Sequence, residues 1–322
     1  MWKHMGVALR ALAIGLTVAL SPGTGAAQTP APLGLGTISQ SSNQRVQDQD
    51  GGFVEDIGAG ERVDYAGRLR MLSQRVAAMM CYNFAGISGV DAKSALKVTA
   101  FEIDLILDAL EFGNPDLGII GAETNSRVLS RLADMRDVWE PMKQNIDITI
   151  DFGFDWSVAY IYLQSIPLLE AAVLVVVDIA GAYSDPAALL QEDSMRIDIA
   201  GRQRMLAQRI SKAYCLTRSD IQAQRARAEL DAAAELWGVS AQALRFGMPD
   251  AGVNQTDDPG ILAALDDILE DWAALSERIR TLEDDGGLND VEIARFITAI
   301  DMLTVRMNKI VGMFAVASKQ DL

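Results

Sequence analysis

Apolar residues recur at three- and four-residue spacings along most of this chain after residue 57, and strand-type alternation is scarce. The pattern predicts helices separated by short runs rich in Gly, Pro, Asn and Asp. We expect them at about residues 58–85, 91–112, 123–148 and 155–184, and then at about residues 186–217, 219–246, 259–282 and 289–318. The predicted fold class is therefore all-α.

The predicted helices fall into two sets of four because the sequence repeats at an offset of 134 residues. VDYAGRLRMLSQRV (63–76) reappears as IDIAGRQRMLAQRI (197–210), and ALEFGNPDLG (109–118) reappears as ALRFGMPDAG (243–252). A period this long indicates a duplicated domain, since solenoid repeats run to roughly 20–50 residues. We predict two tandem four-helix bundles, at residues 57–184 and 185–322, with Ser184, Asp185 and Pro186 starting the second motif helix.

Two features bear on the packing of each bundle. Trp139 and Trp272 hold nearly equivalent places on the third helices, and we interpret both as core anchors rather than ligand contacts. Residues 168–183 are apolar enough to suggest a membrane span, but Pro167, Glu170 and Asp178 interrupt them. The corresponding segment 293–318 is amphipathic, which favours a bundle helix over a membrane span in the mature chain.

The N-terminus has the features of a cleaved export signal. Lys3 and Arg10 precede or flank an apolar run at residues 11–20, and small residues at 25–27 suggest cleavage before Gln28. Residues 28–56 are rich in Gln, Ser, Pro, Gly and Asp and are predicted to be a disordered leader. We therefore predict a periplasmic or secreted protein.

Composition narrows the possible functions. The chain has 28 basic and 44 acidic residues, a net charge of −16, which becomes −18 once Lys3 and Arg10 are removed with the signal. This balance disfavours nucleic acid and anionic membrane surfaces as partners. The only histidine, His4, lies in the signal, which excludes histidine-based catalysis and histidine metal sites. We expect no metal, no cofactor and no enzyme activity; an enzyme using only carboxylate, arginine or cysteine is the weaker alternative.

The repeated motif places one stripe of small and polar residues on each motif helix. At 100° per residue, Gly67, Arg70, Gln74 and Cys81 lie on one side of the first helix. Gly201, Arg204, Gln208 and Cys215 form the same stripe on the second. Small residues there permit close approach of another helix, so we predict that the two motif helices pack together about a pseudo-dyad.

The stripe also contains the candidate ligand-binding residues. Arg70 and Arg204 have no acidic residue within one turn on their own stripe, and an unpaired buried charge is costly. Together with the amides of Gln74 and Gln208, two facing guanidinium groups would suit a small planar oxyanion. The alternative is that each arginine caps carbonyl groups or pairs with an acidic residue on another helix.

Four further arginines of the motif are secondary candidates. Arg68 follows Asp64 by one turn, as Arg202 follows Asp198, so each can form an (i, i+4) ion pair. We expect all four arginines, Arg68, Arg202, Arg75 and Arg209, to form ion pairs that are either solvated or structural.

AGRLRMLSQRV and AGRQRMLAQRI resemble the signature of the N-terminal domain of type IV pili methyl-accepting chemotaxis transducers (PilJ-type). They are also similar to the periplasmic motif of nitrate/nitrite sensor kinases (NarX-like). The resemblance implies an extracytoplasmic four-helix sensor, and in the nitrate sensors an arginine from each of two motif helices binds the anion. The matching residues here are Arg70 and Arg204. Unlike the family, this chain shows no kinase or methylation segment, and it carries two sensor repeats.

Two functions from different classes follow. The first is a ligand-binding sensor module that holds a small anion, nitrate or nitrite first, between the motif helices. The second is a helical module that docks on a chemoreceptor, a sensor kinase or a type IV pilus component without a small ligand.

The positions of the two cysteines bear on how the two motif helices pack against each other. Cys81 and Cys215 are eleven residues beyond Arg70 and Arg204, three turns along the same stripe. If the motif helices are parallel about a dyad, the two cysteines face each other, and an oxidising compartment favours a bridge. The alternative is two free buried cysteines that act as small apolar residues.

Overall fold

The structure, a computed structural model, describes residues 58–152, 154–183, 191–280 and 289–318, and the backbone of two short strands nearer the N-terminus. The predicted export signal and the predicted helix start at residues 184–186 lie outside the described residues. Within the predicted leader, β1 (Val46–Gln47) and β2 (Phe53–Val54) pair antiparallel, with Val46 opposite Val54.

Helices make up most of the described residues, which confirms the all-α prediction. The first repeat contains α1 (Ala59–Ala85), α2 (Ala92–Phe112), α3 (Ser126–Thr149) and α4 (Asp155–Tyr183). The second contains α5 (Gln191–Arg218), α6 (Ala223–Phe246), α7 (Pro259–Arg280) and α8 (Asp290–Ala317). Single 3-10 turns, Pro115–Leu117 and Pro249–Ala251, follow α2 and α6.

Two helices begin later than the apolar pattern predicts, and local chemistry explains both differences. The Asn125 side chain accepts hydrogen bonds from the first backbone amides of α3, so it acts as the N-cap and the helix begins at Ser126. The segment before α6 contains Asp220 and Gln222 at positive φ, a conformation that helical backbone does not adopt.

The repeated FGNPDLG and FGMPDAG sequences form the same turn in both repeats. Asn114 bridges to Ile119, and Met248 bridges to Val253 at the offset of 134. An arginine from the start of each motif helix binds carbonyl groups just beyond this turn. Arg62 donates to the carbonyl oxygen of Gly121 at 2.6 Å, and Arg196 donates to that of Asn254 at 2.9 Å. The turn is therefore anchored to the motif helix in the same way in each repeat.

Helix packing forms two four-helix bundles that meet through their motif helices. In the first repeat α1 packs on α2 and α4, and α3 packs on α4; in the second, α5 packs on α6 and α8, and α7 packs on α8. The motif helices α1 and α5 also pack extensively on each other, as predicted. Both bundles belong to one compact unit, residues 40–322.

The tryptophans lie in the bundle cores, as predicted. Trp139 is fully buried and its indole nitrogen donates to the Asp104 carboxylate at 2.7 Å, while Trp272 packs on Trp237 with ring centroids 4.3 Å apart. Their buried indole rings remove large apolar areas from water in each bundle.

Helix α4 combines a buried face with an apolar outer face. Among the described residues it is the one helix long and apolar enough to cross a membrane, and 33% of its most apolar window is buried. It packs on α1 and α3, while Val173, Leu174 and Val177 are exposed. The helix is therefore a bundle element with an unusually apolar outer surface.

Candidate functional site at the motif-helix interface

A covalent bond sets the register of the motif helices. Cys81 of α1 and Cys215 of α5 are joined by a disulfide with 6.1 Å between their Cα atoms, and both residues are buried. Equivalent residues meet there and again where Gly67 and Gly201 both lie against Arg70 and Arg204, so the helices run parallel. Each residue of one motif therefore lies near the height of its counterpart on the other.

Arg70 and Arg204 pair across this interface in a reciprocal manner. Arg70 Nη1 donates to the Asp198 carboxylate at 2.9 Å, and Arg204 Nη1 donates to the Asp64 carboxylate at 3.0 Å. The arginine side chains are 7% and 3% exposed. The acidic partner missing from each arginine's own stripe is thus supplied by the other motif helix, which is the structural alternative left open by the sequence.

The repeated glycines lie against the same guanidinium groups. A Cβ atom built on Gly67 would stand 3.2 Å from Arg204 Nη2 and 3.8 Å from Arg70 Nη2. A Cβ atom built on Gly201 would stand 3.3 Å from Arg70 Nη2 and 3.7 Å from Arg204 Nη2. The two Nη2 groups therefore converge at the dyad, in space that any side chain larger than glycine would reduce.

Burial and neighbouring charges shift the pKa of Arg70 in opposite directions. Burial lowers the pKa of Arg70, the Asp198 carboxylate raises it, and the positive charges of Arg204 and Arg202 lower it further. The site therefore holds two neighbouring cations in a poorly hydrated place, and one aspartate compensates each of them.

The structure does not bring the Gln74 and Gln208 amides together as additional donors for an anion. Gln74 Nε2 donates to the Ser165 carbonyl oxygen at 3.1 Å, and its Oε1 accepts from Lys212. Gln208 Nε2 donates to Asp301 and Thr304, each at 3.1 Å. The Gln74 amide is therefore occupied by polar groups of α4 and α5, and the Gln208 amide by polar groups of α8.

The four secondary arginines all form ion pairs. Arg202 pairs with Asp198 one turn away at 2.5 Å, as its spacing predicts. Arg68 pairs with Glu102 of α2 instead of Asp64, since Asp64 accepts from Arg204. Arg75 reaches Asp301 of α8 at 2.5 Å, and Arg209 binds Glu229 of α6 at 2.6 Å.

Lys212 is an important residue of this interface that the sequence analysis missed. Its Nζ is fully buried, donates to Gln74 Oε1 at 2.7 Å and to Ser165 Oγ at 3.1 Å, and pairs with Glu229 at 2.9 Å. Burial lowers the pKa of Lys212 to about 8, although the Glu229 carboxylate acts to raise it. At the offset of 134 its counterpart is Ala78, so a comparison of positions where the repeats differ would have found it.

The described residues contain no group of three or more His, Cys, Asp or Glu side chains placed to hold a metal ion. The chemistry of the interface consists of guanidinium, amide, amine and carboxylate groups, which form hydrogen bonds and ion pairs. By fold and site, the chain is a duplicated four-helix bundle with an arginine-containing interface between its motif helices.

Comparison with known families identifies this class. A family model described as "Type IV pili methyl-accepting chemotaxis transducer N-term" matches residues 57–152 and 188–292. The chain belongs to this family, PilJ, and carries its helical sensory module twice. No curated protein and no solved structure matches the chain. The similarity to nitrate/nitrite sensor kinases has no counterpart among these matches and remains an inference from the motif.

Proposed function

We propose that this chain is a sensory module that binds a small planar oxyanion, of the nitrate or nitrite class, between α1 and α5. The observation that carries the proposal is the convergence of Arg70 Nη2 and Arg204 Nη2 beside Gly67 and Gly201. Within the described residues, neither Nη2 group donates a hydrogen bond.

The geometry leaves donors for an anion while the ion pairs stay in place. Asp198 and Asp64 each occupy an Nη1 group, so the Nη2 groups are the ones available to a ligand. A guanidinium matches the spacing of two oxygens on a planar anion. A negative charge at the dyad would also offset the repulsion between two buried cations, which is strongest where water is excluded.

Thermal unfolding with a panel of anions tests this function. Nitrate or nitrite at a hundred times its dissociation constant should add about 2.7 kcal/mol to the stability of the parent. Arg70→Ala and Arg204→Ala should lose that response and retain helical circular dichroism. Arg136→Ala is the matched control, because Arg136 pairs with Glu111 and Asp108 on the surface of the first bundle. If both motif variants respond like the parent, the anion binds elsewhere.

We also propose that the export signal at residues 1–27 directs the chain to the periplasm or the cell exterior. A receptor or pilus protein would then respond to the ligand-bound module. Expression of the full chain followed by N-terminal sequencing of the exported form tests the first part. A mature N-terminus at Gln28 is expected.

A second candidate function is docking on such a protein without a small ligand. It is favoured by three stacked aromatic side chains at the α3–α4 connection: Phe152, Phe154 and Trp156 are 68%, 44% and 55% exposed. Adjacent ring centroids lie 6.0 and 5.8 Å apart. Exposed aromatic clusters are common at protein interfaces. Binding to a purified chemoreceptor or pilus component should then be lost in Phe154→Ser/Trp156→Ser and kept in Arg70→Ala.

A further inference from the structure

The fourth helices of the two repeats align at an offset of 135 residues, one more than the motif helices. At that offset the buried residues of α4 and α8 coincide along their length: Leu168 with Leu303, Ala172 with Met307, Val175 with Ile310 and Ile179 with Phe314. The residue of α4 that occupies the place of Asn308 is consequently Val173, and both residues are exposed.

This difference makes the surroundings of the two motif arginines unequal. Arg204 Nη1 donates to Asn308 at 2.5 Å as well as to Asp64, and Arg204 Nε approaches the Gly201 carbonyl oxygen at 3.4 Å. Among the described residues, Arg70 donates only to Asp198, through Nη1. Its Nε is buried and has no hydrogen-bond partner within the part of the chain that the structure describes. The valine at the place of Asn308 has no polar atom with which to accept a hydrogen bond.

The orphaned Nε lies on the edge of the guanidinium that suits an oxyanion best. Nε and Nη2 present two parallel donors, and at Arg70 both lack an acceptor among the described residues. A buried donor without a partner is costly. A ligand that accepts its hydrogen bond therefore gains more binding free energy than a ligand that must displace an existing acceptor. On Arg204 the corresponding edge already contacts the Gly201 carbonyl oxygen.

We infer that Arg70 makes the two-donor contact with the anion through Nε and Nη2, and that Arg204, whose Nε contacts the Gly201 carbonyl oxygen, serves mainly as its structural counterpart. This inference rests on the proposed oxyanion function. It assigns unequal roles to two arginines that the repeated motif makes equivalent in sequence.

Titration of the mature chain with sodium nitrate and sodium nitrite, followed by calorimetry, tests the inference. Val173→Asn places an amide beside Arg70 Nη1, as Asn308 lies beside Arg204 Nη1, and should leave affinity unchanged because the Nε–Nη2 edge stays free. Asn308→Val removes the acceptor from Arg204 Nη1 and should also leave affinity unchanged, because Arg204 Nε keeps its contact with Gly201. Val173 is partly exposed, so this exchange is compatible with folding.

A second pair of variants gives an independent measurement. Arg70→Lys keeps the charge but loses the two-donor edge, and should lose at least tenfold in affinity, while Arg204→Lys should lose clearly less. Equal losses in the two lysine variants, or a tenfold loss in Val173→Asn, would overturn the unequal roles while leaving the oxyanion function intact. If the parent itself binds neither anion, both the function and the inference are wrong.

Discussion

The Arg70 guanidinium binds the Asp198 carboxylate across the boundary between the two repeats, with 2.9 Å between Nη1 and Oδ1. Arg204 and Asp64 form the related contact at 3.0 Å. Each motif helix thus supplies the base for one ion pair and the acid for the other. This reciprocity gives a physical reason for the presence of both residue types in both copies of the motif: each of these two arginines takes its carboxylate partner from the other copy.

The two aspartates should contribute unequally to stability. Asp198→Asn weakens the one acceptor that Arg70 has among the described residues, whereas Arg204 retains Asn308 after Asp64→Asn. We expect Asp198→Asn to lower the free energy of unfolding by ~1–3 kcal/mol and Asp64→Asn to lower it by less, since hydrogen bonds to charged groups contribute in this range. Urea unfolding of the two variants measures the difference. A larger loss in Asp64→Asn would contradict the inequality of the arginine surroundings.

Helix positions were predictable from the sequence because they depend on local patterns. The break at Gly86 is an example: Gly86 adopts φ 63° as the C-cap of α1, a left-handed conformation that costs glycine little. The turn after α2 was likewise visible as a repeated Gly-x-Pro-Asp sequence, and it has the same form in both repeats. These features need only neighbouring residues to specify them.

The ion pairs of the interface could not be assigned in the same way, because their partners are distant in sequence. Spacing placed Arg68 beside Asp64, but Glu102 of α2 binds Arg68 and Asp64 binds Arg204. Lys212 was not predicted, for a different reason. The equivalent residue of the first repeat is Ala78, so Lys212 is not among the residues that the repeats share. Several carboxylates compete for each arginine, and only the packed arrangement decides among them.

Removal of the disulfide should destabilise the protein strongly. The bond closes a loop with a sequence separation of 134 residues, and loops of this size contribute roughly 4–5 kcal/mol in the chain-entropy model. We expect Cys81→Ser/Cys215→Ser to show a lower urea midpoint than the oxidised parent. Mass spectrometry should find the oxidised parent two hydrogens lighter than its reduced form. Full alkylation of the native protein without reductant would contradict the bond.

The buried amine of Lys212 should make stability depend on pH in a defined range. Its pKa is about 8 in the folded protein against a usual value near 10.5, so between these values the unfolded chain binds the additional proton. The free energy of unfolding should therefore rise as the pH increases from about 8 to about 10, by at most ~3 kcal/mol. Below pH 8 the amine is charged in both states and this contribution to the pH dependence vanishes.

Urea titrations at pH 7.5 and pH 9.5 measure that rise. Lys212→Met should reduce or abolish it. Lys143→Met should not reduce it, because a hydrogen bond to Asp104 raises the pKa of Lys143, and this lysine contributes stability that is lost as the pH increases. An undiminished rise in Lys212→Met would show that another group titrates in this range.

Two glycines at the start of α1 should respond oppositely to alanine. Gly58 has φ 73°, and a Cβ atom there would stand 1.9 Å from the Gly118 carbonyl oxygen. Gly58→Ala should cost roughly 2–5 kcal/mol through backbone strain and displacement of the turn. Gly60 lies in the helix with nothing within 4 Å of an added Cβ, so Gly60→Ala should stabilise by ~0.5–1 kcal/mol. Denaturant unfolding distinguishes the two, and a tolerated alanine at residue 58 would contradict the close approach.

The dyad glycines should separate ligand binding from folding. A Cβ atom on Gly67 or Gly201 would lie 3.2 or 3.3 Å from the Nη2 group of the opposite arginine, a crowding that small movements of a flexible side chain can relieve. Alanine also favours the helix by ~0.5–1 kcal/mol over glycine, so the stability of Gly67→Ala and Gly201→Ala should stay within ~1 kcal/mol of the parent. The added methyl groups nevertheless occupy the space between the converging donors, and the stabilisation by nitrate or nitrite should be lost. Gly312→Ala is the matched control, since this helical glycine of α8 has nothing within 4 Å of an added Cβ and should keep the parental response. Parental anion responses in both dyad variants, measured by thermal unfolding, would place the binding site away from these glycines.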